Sequence, residues 1–462
     1  MRSPELSSSR NLKASEPEST IDMNRRIEKK QPGAQVDSHE AQCRLTDRSE
    51  QSGRFLNSKS GRARRRRALM CEALERRQML SAEFAGALSF GGGIESSLDR
   101  DSGNGVLVGP AEYLGEIRSI PLPPIDQVDV FRQRLREGGY DYSPRSGNNG
   151  SSPFAIGSLA LEDTFFLHSR PGASKTIFLD FDGFTATGTT WNVSYNRDPI
   201  VSPPYDPAGD GPAFNNAELR AIQQIWHRVA EDFAPFEVNV TTEDPGEAAL
   251  VNTGGADSEW GMRVVITIDD WANCGCGGFA YIDSFNWNYN SAGATDTPTY
   301  VFNVVPSEVT LAISHEVGHT LGLSHDGTTA ANPVQPNAEY YFGHGLGETA
   351  WGPIMGAPYY TNVVTWDRGE YIGASNGGSN ANYDRGPDDL SMITTYNGFG
   401  YRPDDHGDVQ AAATELVYLG ANPVDPTLVE VAHFGIIERS DDADFFSFVT
   451  GEGTVNINIQ SY

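Results

Sequence analysis

The stretch His315-Glu316-Val317-Gly318-His319-Thr320-Leu321-Gly322-Leu323-Ser324-His325-Asp326 constrains this chain more than any other. Two histidines four residues apart leave one face of a helix about one turn apart. Gly322 can take a positive φ and end that helix, turning the chain so that His325 swings back toward the other two. A fold that carries these residues needs a helix through position 321, a reversal at 322 and a return past the same face. Three neutral imidazoles gathered in this way suit one zinc ion and leave its fourth position to water, the open arrangement of sites that do chemistry. Glu316 lies beside the ligands, where it can take a proton from a zinc-bound water.

The flanking chain supplies elements for such a fold. Lys175 to Gly183 reads as a strand ended by glycine, and Asn215 to Phe233 as an amphipathic helix with Leu219, Ile222, Ile225, Trp226, Val229 and Phe233 at helical spacing. Strands are expected at Phe236–Thr241, Met262–Ile268, Gly277–Ile282 and Thr299–Asn303. Ser307 is placed to cap the helix that carries the histidines, running from Glu308 toward Leu323. The order strand, helix, three strands, helix implies a mixed sheet with helices packed on it.

Charge narrows the partners. The 462 residues hold 34 Lys+Arg and 62 Asp+Glu, a net charge of −28. Residues 1–80 are net +7, which leaves −35 for the remainder. So acidic a body repels phosphate backbones and anionic membrane faces, which argues against nucleic-acid binding and membrane docking. No run of eighteen apolar residues exists, so no membrane insertion by a helix is expected. Four cysteines are too few for a disulfide-built scaffold. Cys274 and Cys276 can bond each other, stay free or bind metal.

Thirty residues beyond His325 comes Gly352-Pro353-Ile354-Met355-Gly356-Ala357-Pro358-Tyr359-Tyr360. The long histidine motif followed by a methionine turn resembles the metzincin clan of zinc metallopeptidases, and the His-Asp ending looks most like its reprolysin (adamalysin-like) branch. The resemblance covers roughly residues 164–400. It implies an α/β (α+β) catalytic domain with a mixed, mostly parallel sheet and an active-site helix. It implies His315, His319 and His325 as zinc ligands, Glu316 as general base, and Met355 as the hydrophobic floor of the site. Gly322 would turn the helix end, and Asp326 would be a structural carboxylate near the third histidine. Gly278, Phe279 and Ala280 would lie on the edge strand that pairs with an extended protein or peptide substrate. Some branches carry a tyrosine two residues after the methionine; here that position is Ala357. Tyr359 and Tyr360 follow, as candidates for the site or for its pocket.

Four regions are expected. Residues 1–81 read as a disordered basic region in which Arg62 and Arg64–Arg67, followed by Glu72-Ala73-Leu74-Glu75-Arg76-Arg77-Gln78-Met79-Leu80-Ser81, resemble an N-terminal signature of exported bacterial proteins. A location outside a bacterial cell or on its surface follows from that likeness. Residues 82–163 are rich in Gly, Ser and Pro and read as a linker or pro-segment, with a helical patch near Val128 to Leu135. Residues 164–408 would form the peptidase domain. Residues 409–462 alternate apolar and polar around glycine turns and resemble the start of a bacterial pre-peptidase C-terminal domain, a β-sandwich for which 54 residues are short.

Asp206 with Asp210, Asp388 with Asp389, and Asp404, Asp405 and Asp408 are candidates for Ca2+, although none has EF-hand spacing. His344 reads as a loop residue near the substrate pocket, and His168, His227, His406 and His433 carry no partner pattern. Two functions fit these residues. One is a secreted zinc-dependent endopeptidase; the alternative is a surface adhesion or binding protein whose zinc is structural. An intact Glu316 and an open fourth position favour the first. Nothing in the sequence sets cleavage preference, oligomeric state, or a role for Cys43 or Cys71 in an inactive precursor.

Overall fold

The computed structural model describes residues 44–47, 65–70, 117–122, 159–287, 296–377, 388–451 and 453–457. The helical patch expected at Val128 to Leu135, Cys43, Cys71 and most of the export-like run lie outside them.

Six strands build the central sheet: β1 (Ile117–Pro121), β2 (Lys175–Asp180), β3 (Asn239–Thr241), β4 (Trp260–Ile266), β5 (Cys276–Tyr281) and β6 (Thr299–Val301). Their spatial order is β1-β5-β6-β4-β2-β3. The pairs β3/β2, β2/β4 and β4/β6 are parallel, while β6/β5 and β5/β1 are antiparallel, so the sheet is mixed and mostly parallel. Parallel strands covered on both faces need apolar side chains on both. Neighbouring residues on β4 accordingly point into different cores, Val264 toward the helices and Val265 toward the opposite face.

Among the described residues four α-helices accompany the sheet: α1 (Thr190–Ser194), α2 (Asn216–Asp232), α3 (Pro306–Thr320) and α4 (Asp389–Tyr396). The core that joins α2 and α3 to the sheet is mainly aliphatic. Ile222, Ile225 and Val229 of α2 and Val309, Ile313 and Val317 of α3 meet Ile177, Leu179, Val240 and Val264. Burying such side chains contributes roughly 1.5–3 kcal/mol each. The other face is aromatic: Trp191 of α1 stacks on Tyr281 and meets Phe279 edge-on, with Trp271 and Tyr300 beside them. On that face Arg263 is buried, donating to Asp180 (2.6 Å) and to Asp296.

Local signals account for the helix ends in part. Asn215 Oδ1 accepts from the backbone of Ala217 and Glu218, and Glu218 returns a carboxylate to the Asn215 N–H at 2.9 Å, a complete capping box. α3 begins differently from the expectation that Ser307 caps it. Val305 is its N-cap, without a side-chain bond, and Pro306 opens the first turn, where its missing N–H leaves nothing unsatisfied. Nearly every residue of α3 is buried, as befits a helix enclosed by sheet, α2 and loops. Gly322 follows it at φ +94°.

Two expectations change. β1 lies within the stretch read as linker or pro-segment, yet it is a strand of the central sheet. Gly278, Phe279 and Ala280 of β5 are therefore not on a free edge, because β1 already pairs with them. Within residues 1–81, Arg44–Asp47 and Arg65–Met70 are paired strands, and the second also pairs with Phe445–Thr450. Beyond residue 409, Val417–Ala421 pairs with Val429–Ala432, and Thr414–Glu415 runs parallel to Phe445–Thr450. A sandwich core is not seen among the described residues: Val417, Tyr418, Val429 and Val431 are exposed. No helix among them is long and apolar enough to cross a membrane.

Candidate metal centre

The reversal at Gly322 brings three imidazoles together. The Leu323 N–H bonds back to the Gly318 carbonyl at 3.0 Å, and His325 then begins a short strand, His325–Thr328, paired antiparallel with Ala374–Gly377. Ring centroids lie 4.7 Å apart for His315 and His319, 4.8 Å for His319 and His325, and 5.4 Å for His315 and His325. One ligand atom from each lies within 4.8 Å of the others.

Each ring is held by its Nδ1. His315 meets the Ile354 carbonyl at 2.9 Å, His319 the Leu323 carbonyl at 2.8 Å, and His325 the Glu339 carboxylate at 3.2 Å. An acceptor at Nδ1 fixes the tautomer with Nε2 unprotonated and free to donate its lone pair. The three Nε2 atoms are buried and have no hydrogen-bond partner among the described residues. Buried polar atoms are seldom left so. Three of them converging is what a cation would satisfy, and all-nitrogen donors at this spacing fit zinc.

Burial also keeps the rings neutral. It pulls His315 down to about 3, with the nearby His325 acting the same way. It holds His319 well below the ordinary histidine range and lowers His325, where Glu339 opposes it. Glu316 is fully buried. Burial pushes its carboxyl well above the usual range, opposed by the Ile120 N–H, which donates to Oε1 at 2.8 Å. Its Oε2 has no hydrogen-bond partner among the described residues.

Met355 lies under the helix, fully buried. A Cβ at Gly318 would stand 2.3 Å from its Sδ, so the glycine within the histidine motif is what lets the methionine approach. The Met355 carbonyl accepts from the Asp326 N–H at 2.8 Å, tying the turn to the third histidine. The Asp326 side chain is buried, and burial together with Asp389 and Asp367 pushes its carboxyl well up. On β5, a Cβ at Gly278 would stand 2.9 Å from Glu316 Cγ, so that strand packs directly on the glutamate.

Other candidates are sorted by position. Tyr359 reaches the site's edge, its hydroxyl donating to the Pro121 carbonyl at 2.7 Å, whereas Tyr360 is exposed. His344 bonds to Tyr341 at 2.9 Å and bridges to Trp351, away from the three nitrogens. Cys274 is disulfide-bonded to Cys276, the first residue of β5. The acidic groups gather as Asp206, Asp210 and Glu218, and as Asp404, Asp405 and Asp408 with Glu438, Asp442 and Asp444.

Sequence reasoning missed Tyr340 and Glu339. The Tyr340 ring lies 4.2 Å from that of His325, and its hydroxyl donates to the Ser119 carbonyl at 2.8 Å. The aromatic run Tyr340-Tyr341-Phe342 was the available signal, but no spacing rule singles out one of three rings.

A family model described as metallo-peptidase family M12B, reprolysin-like, matches residues 239–326, from β3 through the third histidine and Asp326. No curated protein and no solved structure matches the chain. The matched segment is thus similar to reprolysin-like zinc metallopeptidases, and it contains the candidate three-histidine metal site.

Proposed function

We propose that the chain is a secreted zinc-dependent endopeptidase whose catalytic unit spans residues 164–408, with 82–163 as a pro-segment and 409–462 as an accessory module. The observation that carries this reading is the convergence of three buried, unpartnered Nε2 atoms beside an unpartnered carboxylate oxygen of Glu316.

Zinc held by His315, His319 and His325 would supply Lewis acidity to a water and to the substrate carbonyl. The remaining work falls to the chain. Glu316 Oε2 faces no protein partner, so it is available to accept a proton from water. The same carboxyl can then pass that proton to the amine nitrogen so that it can leave. The Tyr340 hydroxyl already donates to a backbone carbonyl at the site and can do so for a substrate carbonyl as negative charge develops. β5 offers backbone groups to an extended protein or peptide chain, the pairing that β1 now uses. The disulfide Cys274–Cys276 accords with an oxidising compartment outside the cytosol.

The test is zinc content and hydrolysis of an added unfolded protein, reduced and alkylated albumin, by the full chain and by Glu316→Gln. One zinc per chain in both, with hydrolysis lowered about 10³-fold in the variant, is the expected result. One zinc with no hydrolysis, even after β1 has been displaced, would favour the adhesion-type alternative with a structural metal. A folded chain without zinc would overturn both.

A further inference from the structure

β1 lies across the metal position as an extended peptide. Its register along β5 pairs Ile117 with Tyr281, Arg118 with Ala280, Ser119 with Phe279 and Ile120 with Gly278. The peptide unit between Ser119 and Ile120 is gripped on both sides. Its carbonyl oxygen accepts from the Tyr340 hydroxyl at 2.8 Å, and the ring of that tyrosine lies 4.2 Å from the ring of His325. Its N–H donates to Glu316 Oε1 at 2.8 Å. One residue on, the Pro121 carbonyl accepts from Tyr359 at 2.7 Å.

The flanking side chains are seated as well. Ile120 is fully buried and belongs to the aliphatic core shared with α3, and Arg118 is buried on the other side of the bond. A carbonyl facing the ligands, a nitrogen facing the base and a filled apolar pocket just beyond are the contacts a scissile bond requires.

We propose that the Ser119–Ile120 peptide bond is a substrate of this site within the same chain, cut once to release the segment ending at Ser119. This inference rests on the peptidase reading. Hydrolysis consumes one water. The water's oxygen bonds to the Ser119 carbonyl carbon, the carbon–nitrogen bond breaks, and its electron pair stays on the Ile120 nitrogen. One of the water's protons passes by way of Glu316 to that nitrogen, and the second, lost as the new acid ionises, leaves the new terminus protonated or passes to solvent. Ser119 ends as a carboxylate and Ile120 as a new N-terminal amine. The same geometry gives a preference for added substrates: a β-branched or other aliphatic residue after the cut bond, in the pocket that Ile120 fills.

The experiment uses the full chain, purified without zinc and then given zinc, with fragments read by mass spectrometry and N-terminal labelling. A new terminus at Ile120 and a partner fragment ending at Ser119 are expected, at a rate unchanged over a tenfold range of protein concentration. Glu316→Gln should slow this about 10³-fold. In the zinc-free chain, the Ile120 amide should be protected from hydrogen exchange, a reading of docking independent of turnover. Ile120→Pro removes the N–H that meets Glu316, so it should abolish the cut and leave the cleft open to added unfolded protein. Ile120→Asp, which places a charge in the same buried pocket, serves if the proline variant fails to take up zinc. A wild-type chain that stays intact at 119–120 while either variant hydrolyses added protein overturns self-cleavage and leaves the peptidase reading standing. A wild-type chain that stays intact at 119–120, together with zinc-loaded variants that hydrolyse nothing, overturns the peptidase reading, and self-cleavage with it. An unprotected Ile120 amide overturns the docking on which the inference rests.

Discussion

The histidine centre and the strand that crosses it reach the same few ångströms by opposite routes. The three converging nitrogens come from residues 315 to 325, brought together by one helix and one turn. The peptide above them comes from Ser119 and Ile120, the latter 196 residues upstream of Glu316, and is held by backbone pairing to β5. The first set depends on side-chain identity at fixed offsets. The second depends on main-chain groups that nearly any sequence could offer. Single substitutions should therefore be ruinous in the first and graded in the second.

The largest effect is expected at the ligands. His319→Ala removes one of three nitrogens, and zinc per chain should fall from one to near zero at micromolar metal, with hydrolysis lost by about 10³-fold or more. A variant that retained one zinc would break the contrast, since the centre would then tolerate loss of identity. The metal-free chain offers a related reading. His315, His319 and His325 have folded pKa values depressed below their unfolded value, so the folded state takes up fewer protons as acid is added. Stability is whole above about pH 6.5 and is lost as pH falls below it, by up to about 1.4 kcal/mol per pH unit for each histidine that stays neutral. The raised carboxyls of Glu316 and Asp326 act with the opposite sign, so urea melts of the metal-free chain and of His319→Ala between pH 7.5 and 5 test this by their difference, and equal slopes in the two would count against a buried, neutral His319.

Next comes the group that links the two regions. Tyr340→Phe keeps the ring against His325 and removes only the hydroxyl that holds the Ser119 carbonyl. Loss of a donor to a developing oxyanion costs about 10²-fold in kcat. Zinc content and KM for an added peptide should change little. A fall in zinc, or a rise in KM with kcat kept, would make Tyr340 a packing residue. Gly278→Ala should be milder in activity and felt in stability. Its Cβ would meet the Tyr300 carbonyl at 2.7 Å as well as Glu316 Cγ, an overpacking worth about 1–3 kcal/mol. Thermal unfolding of the zinc-loaded protein reads it directly.

The same division explains what could be read beforehand. The ligand spacing and the helix-ending Gly322 are local patterns, in which each residue acts through neighbours a few positions away, whereas Met355 was found by its resemblance to a methionine turn. The strands of the core were legible from their own short apolar stretches, whereas their mostly parallel arrangement was implied by the family resemblance. The start of α3 was misread because Ser307 and Pro306 give competing signals, and the proline takes the first turn. β1 was hidden by composition. Ile117 to Pro121 sits in glycine- and proline-rich sequence, and its strand state comes from pairing with β5 rather than from its own propensity. Tyr340 was hidden by distance, since its partner Ser119 is 221 residues away.

Glu339 gives the smallest and sharpest test, because it belongs to the centre yet touches no metal position itself. Its carboxylate meets His325 Nδ1 at 3.2 Å and is about half exposed, unlike the backbone carbonyls that hold His315 and His319. A carboxylate at that place orients the ring and raises its basicity, but exposure to water weakens its field. Glu339→Gln keeps an oxygen for the hydrogen bond and removes the charge. Zinc affinity should fall about 10-fold, the low end for such outer partners, and one zinc should still bind at saturating metal. Competition with a calibrated chelator measures this. The charge is also screened by salt, so the gap between wild type and variant should narrow as ionic strength rises from 0.01 M to about 0.5 M. A gap that ignored salt would mean that the ring is held by shape alone. A gap above 10³-fold would mean that Glu339 acts as a ligand in its own right, making the centre a mixed nitrogen and oxygen site. The contrast between a side-chain-coded centre and a backbone-held strand would then rest on four residues instead of three.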